Sequence, residues 1–300
     1  MSHTMVFGGV LMDFVPAGDA WQARPGGSAW NVALGLAALG EGVAFAGSLG
    51  SDPFAERLSA LGEAAGLDMT SASRVDAPTA LSVVHKGVDD QPSRYAFYAQ
   101  GGADSAFAGV STNAWVDAHA AYFGGVTLLR EPAAPAFLDC AQEAAWRGLT
   151  VLYDPNFRPT YAEEGRRALW AYLPHTTHLK VSHEDILGLL PGQTVEDGVT
   201  ALRRAHPRMH VLLTLGAAGA RLFTPQGEWH HPGYAVTVAD TVGAGDACAA
   251  GWLAGTLAGP DVAPAQALQF ALACGALACT RPGAHAPTMD EVEQFLHAQS

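Results

Sequence analysis

Lysine is almost missing from this 300-residue chain, which carries it only at Lys86 and Lys180. A phosphate-binding P-loop needs Gly-x-x-x-x-Gly-Lys-Ser/Thr, and neither lysine has that setting: Gly87 follows Lys86 and Val181 follows Lys180. Positive charge is short altogether. Sixteen Lys and Arg face twenty-nine Asp and Glu, a formal net charge of -13. Nucleic acid and anionic membrane surfaces both require a basic patch, so neither is expected as a partner, and any affinity for phosphate must be local. Cysteine is scarce as well. Cys140, Cys248, Cys274 and Cys279 lack metal-ligand spacing and lie among apolar or small residues, which points to buried, reduced thiols and a cytoplasmic chain. No apolar run reaches about 18 residues, and residues 1–10 carry no basic flank before a long apolar stretch, so neither export nor membrane insertion is expected. The protein-kinase segments His-Arg-Asp and Asp-Phe-Gly are absent, His183-Glu184 has no second His in zincin spacing, and Ala46 stands where a nucleophile elbow around Ser48 needs glycine.

What remains is a globular composition, 49% hydrophobic and 15% charged, with no linker, repeat or low-complexity tract. Short apolar runs at residues 45–49, 121–124, 150–153, 179–182 and 211–215 alternate with longer small-residue or amphipathic stretches. Strand and helix in alternation predict a parallel sheet with helices on both faces. Residues 78–107 break the pattern: Ala80-Leu81-Ser82-Val83-Val84 and Tyr95-Ala96-Phe97-Tyr98 flank a polar turn at 87–93, a hairpin signal.

Two glycine-rich segments carry the chemistry. Asp240-Thr241-Val242-Gly243-Ala244-Gly245-Asp246 runs into an apolar helix pattern, so backbone N–H groups converge at a helix N-terminus, a natural anion site. Asp246 either caps that helix or accepts a proton from a hydroxyl that attacks a bound phosphate. Pro25-Gly26-Gly27-Ser28-Ala29-Trp30-Asn31 runs into a small-residue helix over residues 32–39. There Asn31 is either a cap or a ligand group beside a close backbone approach. His230-His231, in a Pro/Gly-rich turn, reads as solvent-facing rather than as a ligand pair.

Together the two segments resemble the signatures of the ribokinase/PfkB family of carbohydrate kinases, Gly-Gly-x-x-x-Asn and Asp-Thr-x-Gly-Ala-Gly-Asp. The resemblance extends through Asp13, Gly47-Ser48-Leu49-Gly50-Ser51-Asp52, Asp154-Pro155-Asn156-Phe157-Arg158, Leu212-Leu213-Thr214-Leu215-Gly216-Ala217-Ala218-Gly219-Ala220 and residues 276–284. It implies one ribokinase-like α/β domain over residues 1–300, a three-layer α/β/α core with a mainly parallel sheet, and a small β lid from residues 13–24 and 78–107. It implies transfer of the γ-phosphate of ATP to a sugar hydroxyl, with Asp246 as base and the amides of Gly243, Ala244 and Gly245 holding the moving charge. Asp13, Gly26, Gly27, Asn31 and Arg158 would contact the sugar, although Asp13 also reads as a turn residue and Arg158 as an ion-pair partner of Asp154 or a surface group. Ser182, Thr214, Gly216, Gly219 and Gly245 would contact ATP. Asp185 would meet magnesium through water, and Asp240, Val242 and Gly283 would cage a monovalent cation, potassium.

Three departures qualify the resemblance. The family's Asn-x-x-Glu is here Ser182-His183-Glu184-Asp185, Leu272 replaces an Asn near the adenine, and Trp30 either narrows the sugar pocket or packs in the core. The Ser182 variant, Pro-Gly-Gly-Ser and Asp-Pro-Asn-Phe-Arg lean towards a fructokinase-like member. A nucleoside or other small-alcohol kinase, and a non-catalytic sugar- or nucleotide-binding protein, are the competing readings. An exposed lid strand would allow a homodimer through the lid.

Overall fold

A computed structural model of the chain describes residues 2–85, 94–259 and 261–299; the polar turn expected at 87–93 lies outside them. In chain order the strands and helices are β1 (His3–Phe7), β2 (Leu11–Ala17), β3 (Ala20–Gly26), α1 (Ser28–Ala38), β4 (Val43–Ala46), β5 (Ser48–Leu49), α2 (Pro53–Ala64) and β6 (Ser73–Arg74). The middle of the chain gives β7 (Leu81–His85), β8 (Arg94–Tyr98), β9 (Ala118–Gly124), α3 (Ala134–Trp146), β10 (Thr150–Asp154), α4 (Ala162–Tyr172), β11 (His178–Ser182), α5 (His183–Leu189) and α6 (Val195–Ala205). There follow β12 (His210–Thr214), β13 (Ala220–Thr224), β14 (Gly227–His231), α7 (Ala244–Leu257), α8 (Pro264–Ala278) and α9 (Met289–Gln299).

Eight strands form the main sheet in the order β14-β13-β12-β11-β10-β9-β1-β4. The pairs from β4 to β12 are parallel, and β13 and β14 close one edge as an antiparallel hairpin. Strand alternation divides the core: Val6 of β1 points to one face, Met5 and Phe7 to the other. The Val6 face is covered by α1, α7 and α8, and the Phe7 face by α3, α4, α5 and α6. This is a three-layer α/β/α architecture. No helix of the described residues is long and apolar enough to cross a membrane.

Local chemistry accounts for the element ends. Asp52 caps α2 by accepting from the Ala55 amide, with Pro53 at the first helical position, and Thr194 caps α6 in the same way. The apolar run at 45–49 is two strands rather than one, because the chain breaks at Gly47, where a Cβ would lie 2.5 Å from the Gly8 carbonyl oxygen. A second sheet has the order β3-β2-β7-β8. Asp13 of β2 pairs across with Arg24 of β3 and Ser82 of β7, and Ser82 with Phe97 of β8, so these four side chains share one face.

Cys140, Cys248 and Cys274 are buried free thiols. Burial pushes Cys140 up to about 12 and Cys248 up to about 11, which makes both inert at neutral pH. Cys279 departs from the expectation, being only partly buried, because it stands at the C-cap of α8 where the chain turns away.

His178 of β11 is the buried titratable group with the clearest consequence for stability. Its ring packs against Trp252 at 5.1 Å and His210 at 4.6 Å, and its Nε2 has no partner. Burial, and then His210, push its pKa down to about 3. The unfolded chain takes up this proton near pH 6.5 and the folded chain does not, so stability falls as pH drops from about 6.5 towards 3, by at most ~1.4 kcal/mol per pH unit from this group. His178→Leu is expected to remove that part of the slope in urea unfolding at pH 4 to 7; equal slopes in parent and variant would refute it.

Candidate active site

Parallel α/β sheets bind ligands beyond the carboxyl ends of their strands. Here Gly124, Asp154, Ser182 and Thr214 are the last residues of β9, β10, β11 and β12, and the registers set Asp154 beside Gly124 and Ser182 beside Thr214. The N-termini of α1 and α7 open onto the same edge. These two helices approach closely because small residues face each other: a Cβ on Gly35 would lie 2.8 Å from the Ala250 Cβ.

That contact joins the two glycine-rich segments. Asp246 accepts from the Ser28 hydroxyl at 2.7 Å and from the Asn31 amide at 2.8 Å. Neither Asp246 nor Asn31 is a cap. The N-cap of α7 is Gly243, in the left-handed region at φ 78°, where a Cβ would meet the Ala284 Cβ at 2.7 Å. The helix containing Asn31 begins at Ser28, four residues earlier than expected, so Asn31 lies inside its first turn. Ser28 in turn meets the Tyr122 hydroxyl at 3.1 Å, and burial holds Tyr122 well above the usual phenol range, as a neutral hydroxyl. At the start of α7 the Ala244 amide donates to the Thr241 carbonyl at 3.3 Å. The amides of Gly243, Gly245 and Asp246 have no partner among the described residues, so three N–H groups are open to an anion.

Across the cleft, Asp13 accepts from the Ser82 hydroxyl. A Cβ on Gly26 would overlap the Asp13 carboxylate, which is the steric reason for glycine there. Gly27, at φ 109°, approaches the Gly9 carbonyl too closely for any side chain. Burial raises the Asp13 pKa and Asp246 adds to that, while the Ser82 hydrogen bond and Arg158 oppose it. Arg158 donates to the Phe157 carbonyl at 2.8 Å and lies 5.6 Å from the ring centre of Tyr95 on β8. Arg158 is therefore not the partner of Asp154. That carboxylate takes Lys180 instead, at 2.8 Å, both groups buried.

The remaining expected residues gather along the same edge. Ser182 and Asp185 form a capping box on α5: Asp185 accepts from the Ser182 amide at 2.7 Å, and its other oxygen from the Phe157 amide at 2.8 Å. Asp185 thus ties the loop carrying Arg158 to α5, a task the sequence reading did not include. Gly216 (φ 60°) and Gly219 (φ 84°) make the turn after Thr214, and a Cβ on Gly219 would overlap the His231 carbonyl. Asp240 accepts from the amides of Val242 at 3.1 Å and Gly283 at 3.0 Å, so it joins the loop before α7 to the loop after α8. Among the described residues no three His, Cys, Asp or Glu gather into a metal cluster.

Trp30 points into the core, its ring 5.1 Å from Phe45, and takes no part in the cleft. Leu272 also packs against the core. His230 is exposed and His231 accepts from the Gly233 amide, an ordinary turn contact.

The pfkB carbohydrate kinase model matches residues 1–291. The chain belongs to the pfkB family of carbohydrate kinases. It is 33% identical to a fructokinase-1 of Oryza sativa subsp. japonica, over 96% of this chain and 94% of that one. Among solved structures, a fructokinase with bound ATP from Xylella fastidiosa superposes with a TM-score of 0.89 at 28% identity, over 100% of this chain and 99% of that one. An aminoimidazole riboside kinase from Salmonella enterica, complexed with its riboside and an ATP analogue, superposes with a TM-score of 0.84 at 29% identity, over 98% and 100%.

Sequence reasoning within this family missed Ser28, Tyr122, Ser82 and Lys180. Lys180 alone had a readable signal, a charge between Leu179 and Val181 in a central strand, which burial tolerates only with a partner. The Gly26–Asp13 approach is directly testable. Gly26→Ala is expected to cost about 1–3 kcal/mol by overpacking, and under about 0.5 kcal/mol in an Asp13→Ala background. Urea unfolding of the four chains reads the coupling, and equal losses in both backgrounds would contradict the contact.

Proposed function

We propose that this chain is an ATP-dependent sugar kinase that transfers the γ-phosphate to a primary hydroxyl of fructose or a related small sugar. The observation that carries the proposal is Asp246, held by Ser28 and Asn31 beside three partnerless amides. A carboxylate beside an anion site repels phosphate unless it has another task, and proton acceptance from the attacking hydroxyl is that task. Asp13 and Asn31 offer an acceptor and a donor to sugar hydroxyls on the facing walls. Phosphoryl transfer has a loose transition state, so positioning and charge stabilisation carry it, and one well-aimed amide is worth roughly 3 kcal/mol.

Magnesium, when bound with the nucleotide, supplies charge neutralisation at the phosphate oxygens. The donor set suits that ion, which keeps waters and binds chiefly through phosphates rather than a protein cage: Ser182 and Asp185 offer hard oxygens with spare lone pairs, and among the described residues no three His, Cys, Asp or Glu form a competing cluster. Asp240 and the carbonyls of Val242 and Gly283 are the groups that would hold a potassium ion, which would fix the turn that presents the open amides. The four-stranded sheet acts as the lid, since its Asp13 face turns to the cleft and excluding water protects ATP from hydrolysis. Its opposite face carries Trp21 (47% exposed) and Tyr98 (67%), which supports pairing of two copies through the lid, readable by sedimentation equilibrium. The free cysteines support a cytoplasmic setting.

The test is ADP release with ATP, magnesium and potassium against ketoses, aldoses, sugar acids, sugar phosphates and nucleosides. Fructose or a close relative is expected to respond most strongly; a nucleoside as strongest responder would move the assignment to a riboside kinase. Asp246→Asn is expected to keep the melting temperature and lose about 10²–10⁴ in kcat, and near-parental turnover would sink the role of Asp246. Replacing potassium by sodium is expected to lower kcat/KM, and equal values in both salts would count against the cation site.

A further inference from the structure

Lys180 is a buried ammonium whose donors are mostly unspent. It is 6% exposed on β11, between Leu179 and Val181, and a single bond to Asp154 Oδ2 at 2.8 Å is its hydrogen bonding among the described residues. An ammonium has three N–H donors, so two have no partner. Burial costs such a group several kcal/mol unless its charge and its donors are all met. The Asp154 and Asp185 carboxylates outweigh the effect of burial and keep it charged. The other Asp154 oxygen, Oδ1, is likewise buried with no partner, so the pair is incomplete on both sides.

Its position says what could complete it. A Cβ built on Gly245 would lie 3.3 Å from Nζ, and outside α7 itself it would meet within 4 Å only the Lys180 side chain among the described residues, so the ammonium rests against the turn that presents the open amides. An anion seated on the amides of Gly243, Gly245 and Asp246 would share Gly245 with Nζ as a neighbour. Arg158 is bonded to the Phe157 carbonyl and lies by the Tyr95 ring, and Arg24, which reaches Gly283, donates to Gln22, whereas Lys180 meets Gly245 itself.

We propose that Lys180 is a phosphate ligand of this site: its free N–H groups bind the terminal phosphate of the nucleotide, and Asp154 positions it. The proposal rests on the kinase reading above. It explains why a chain with two lysines buries one of them inside a central strand, with its ammonium against the start of α7. A structural salt bridge would serve equally well with its ammonium turned anywhere in the core; a ligand must face the turn.

The test compares ATP with AMP, which lacks the terminal phosphate, by calorimetric titration with magnesium present. Lys180→Met alone strands a buried carboxylate, so the informative variant is Lys180→Met with Asp154→Leu, which removes both charges. It is expected to bind AMP as the parent does and ATP about 10–100-fold more weakly, the loss typical of a charge-assisted hydrogen bond. Asp154→Asn keeps the lysine and an acceptor oxygen to position it, so it is expected to preserve the ATP-to-AMP ratio within about threefold, and a loss of ATP preference as large as the double variant's would overturn the proposal. A folded double variant in which both nucleotides weaken together, or neither does, overturns the proposal. A parent that binds neither nucleotide overturns the kinase reading and this proposal with it. A second measurement needs no charge-removing variant. With lysine ¹⁵N-labelled in a Lys86→Arg chain, one side-chain ammonium signal remains, and ATP but not AMP is expected to shift it; an unmoved signal at saturating ATP contradicts the assignment.

Discussion

The site depends on one pair of hydrogen bonds, from Ser28 and Asn31 to Asp246, between residues more than two hundred positions apart in the chain. They exist because α1 and α7 touch through Gly35 and Ala250, with no side chain to hold them apart. Helix α7 is buried along Ala247, Cys248, Ala249, Ala250 and Gly251, and on its other flank Gly251 admits the Cys274 thiol of α8 at 2.7 Å from where a Cβ would stand. Small residues therefore set the spacing of three helices. The spacing sets where two helix N-termini meet, and that meeting point holds a carboxylate beside open amides. A bulkier residue at either glycine would pack hydrophobic surface perfectly well and still pull the site apart.

Charge is arranged against the chain's own balance. With a net charge of -13, the protein has little general attraction for phosphate. The cleft compensates with dipoles rather than many cations: three backbone amides, one helix N-terminus, and the buried ammonium of Lys180 facing the same turn. The carboxylates there each have a stated use. Asp246 is the proposed base, Asp13 is raised by burial while its Ser82 hydrogen bond opposes that, Asp240 ties two loops, and Asp185 caps α5. Preorganised dipoles need no reorganisation as charge develops, which suits a reaction whose transition state spreads negative charge over several oxygens.

Much of this was legible in the chain. Alternating apolar runs implied the parallel sheet, and the two glycine-rich segments marked both halves of the site, because turn chemistry and helix starts are local properties. What could not be read was which distant groups meet. From its own segment Asp246 reads equally well as a cap, but Gly243 holds that position and the Asp246 oxygens take Ser28 and Asn31 instead. Asp185 read as a magnesium contact, yet its first partners are the amides of Ser182 and Phe157, one of them from another loop. Trp30 sits one residue from a site asparagine, and the roughly 100° between adjacent helical residues turns it away from the cleft and into the core. Helix α1 begins before Asn31 rather than after it, because Gly27 at φ 109°, and not the amide side chain of Asn31, occupies the N-cap position.

The measurement that bears most directly on the account follows the label of γ-³²P-ATP in a single turnover, with and without fructose. Phosphate should appear on the sugar, with inorganic phosphate released far more slowly when no sugar is present, because the proposed base would have only a hydroxyl to activate and the proposed lid would keep water out. Label released as inorganic phosphate at the same rate with and without sugar would contradict the account.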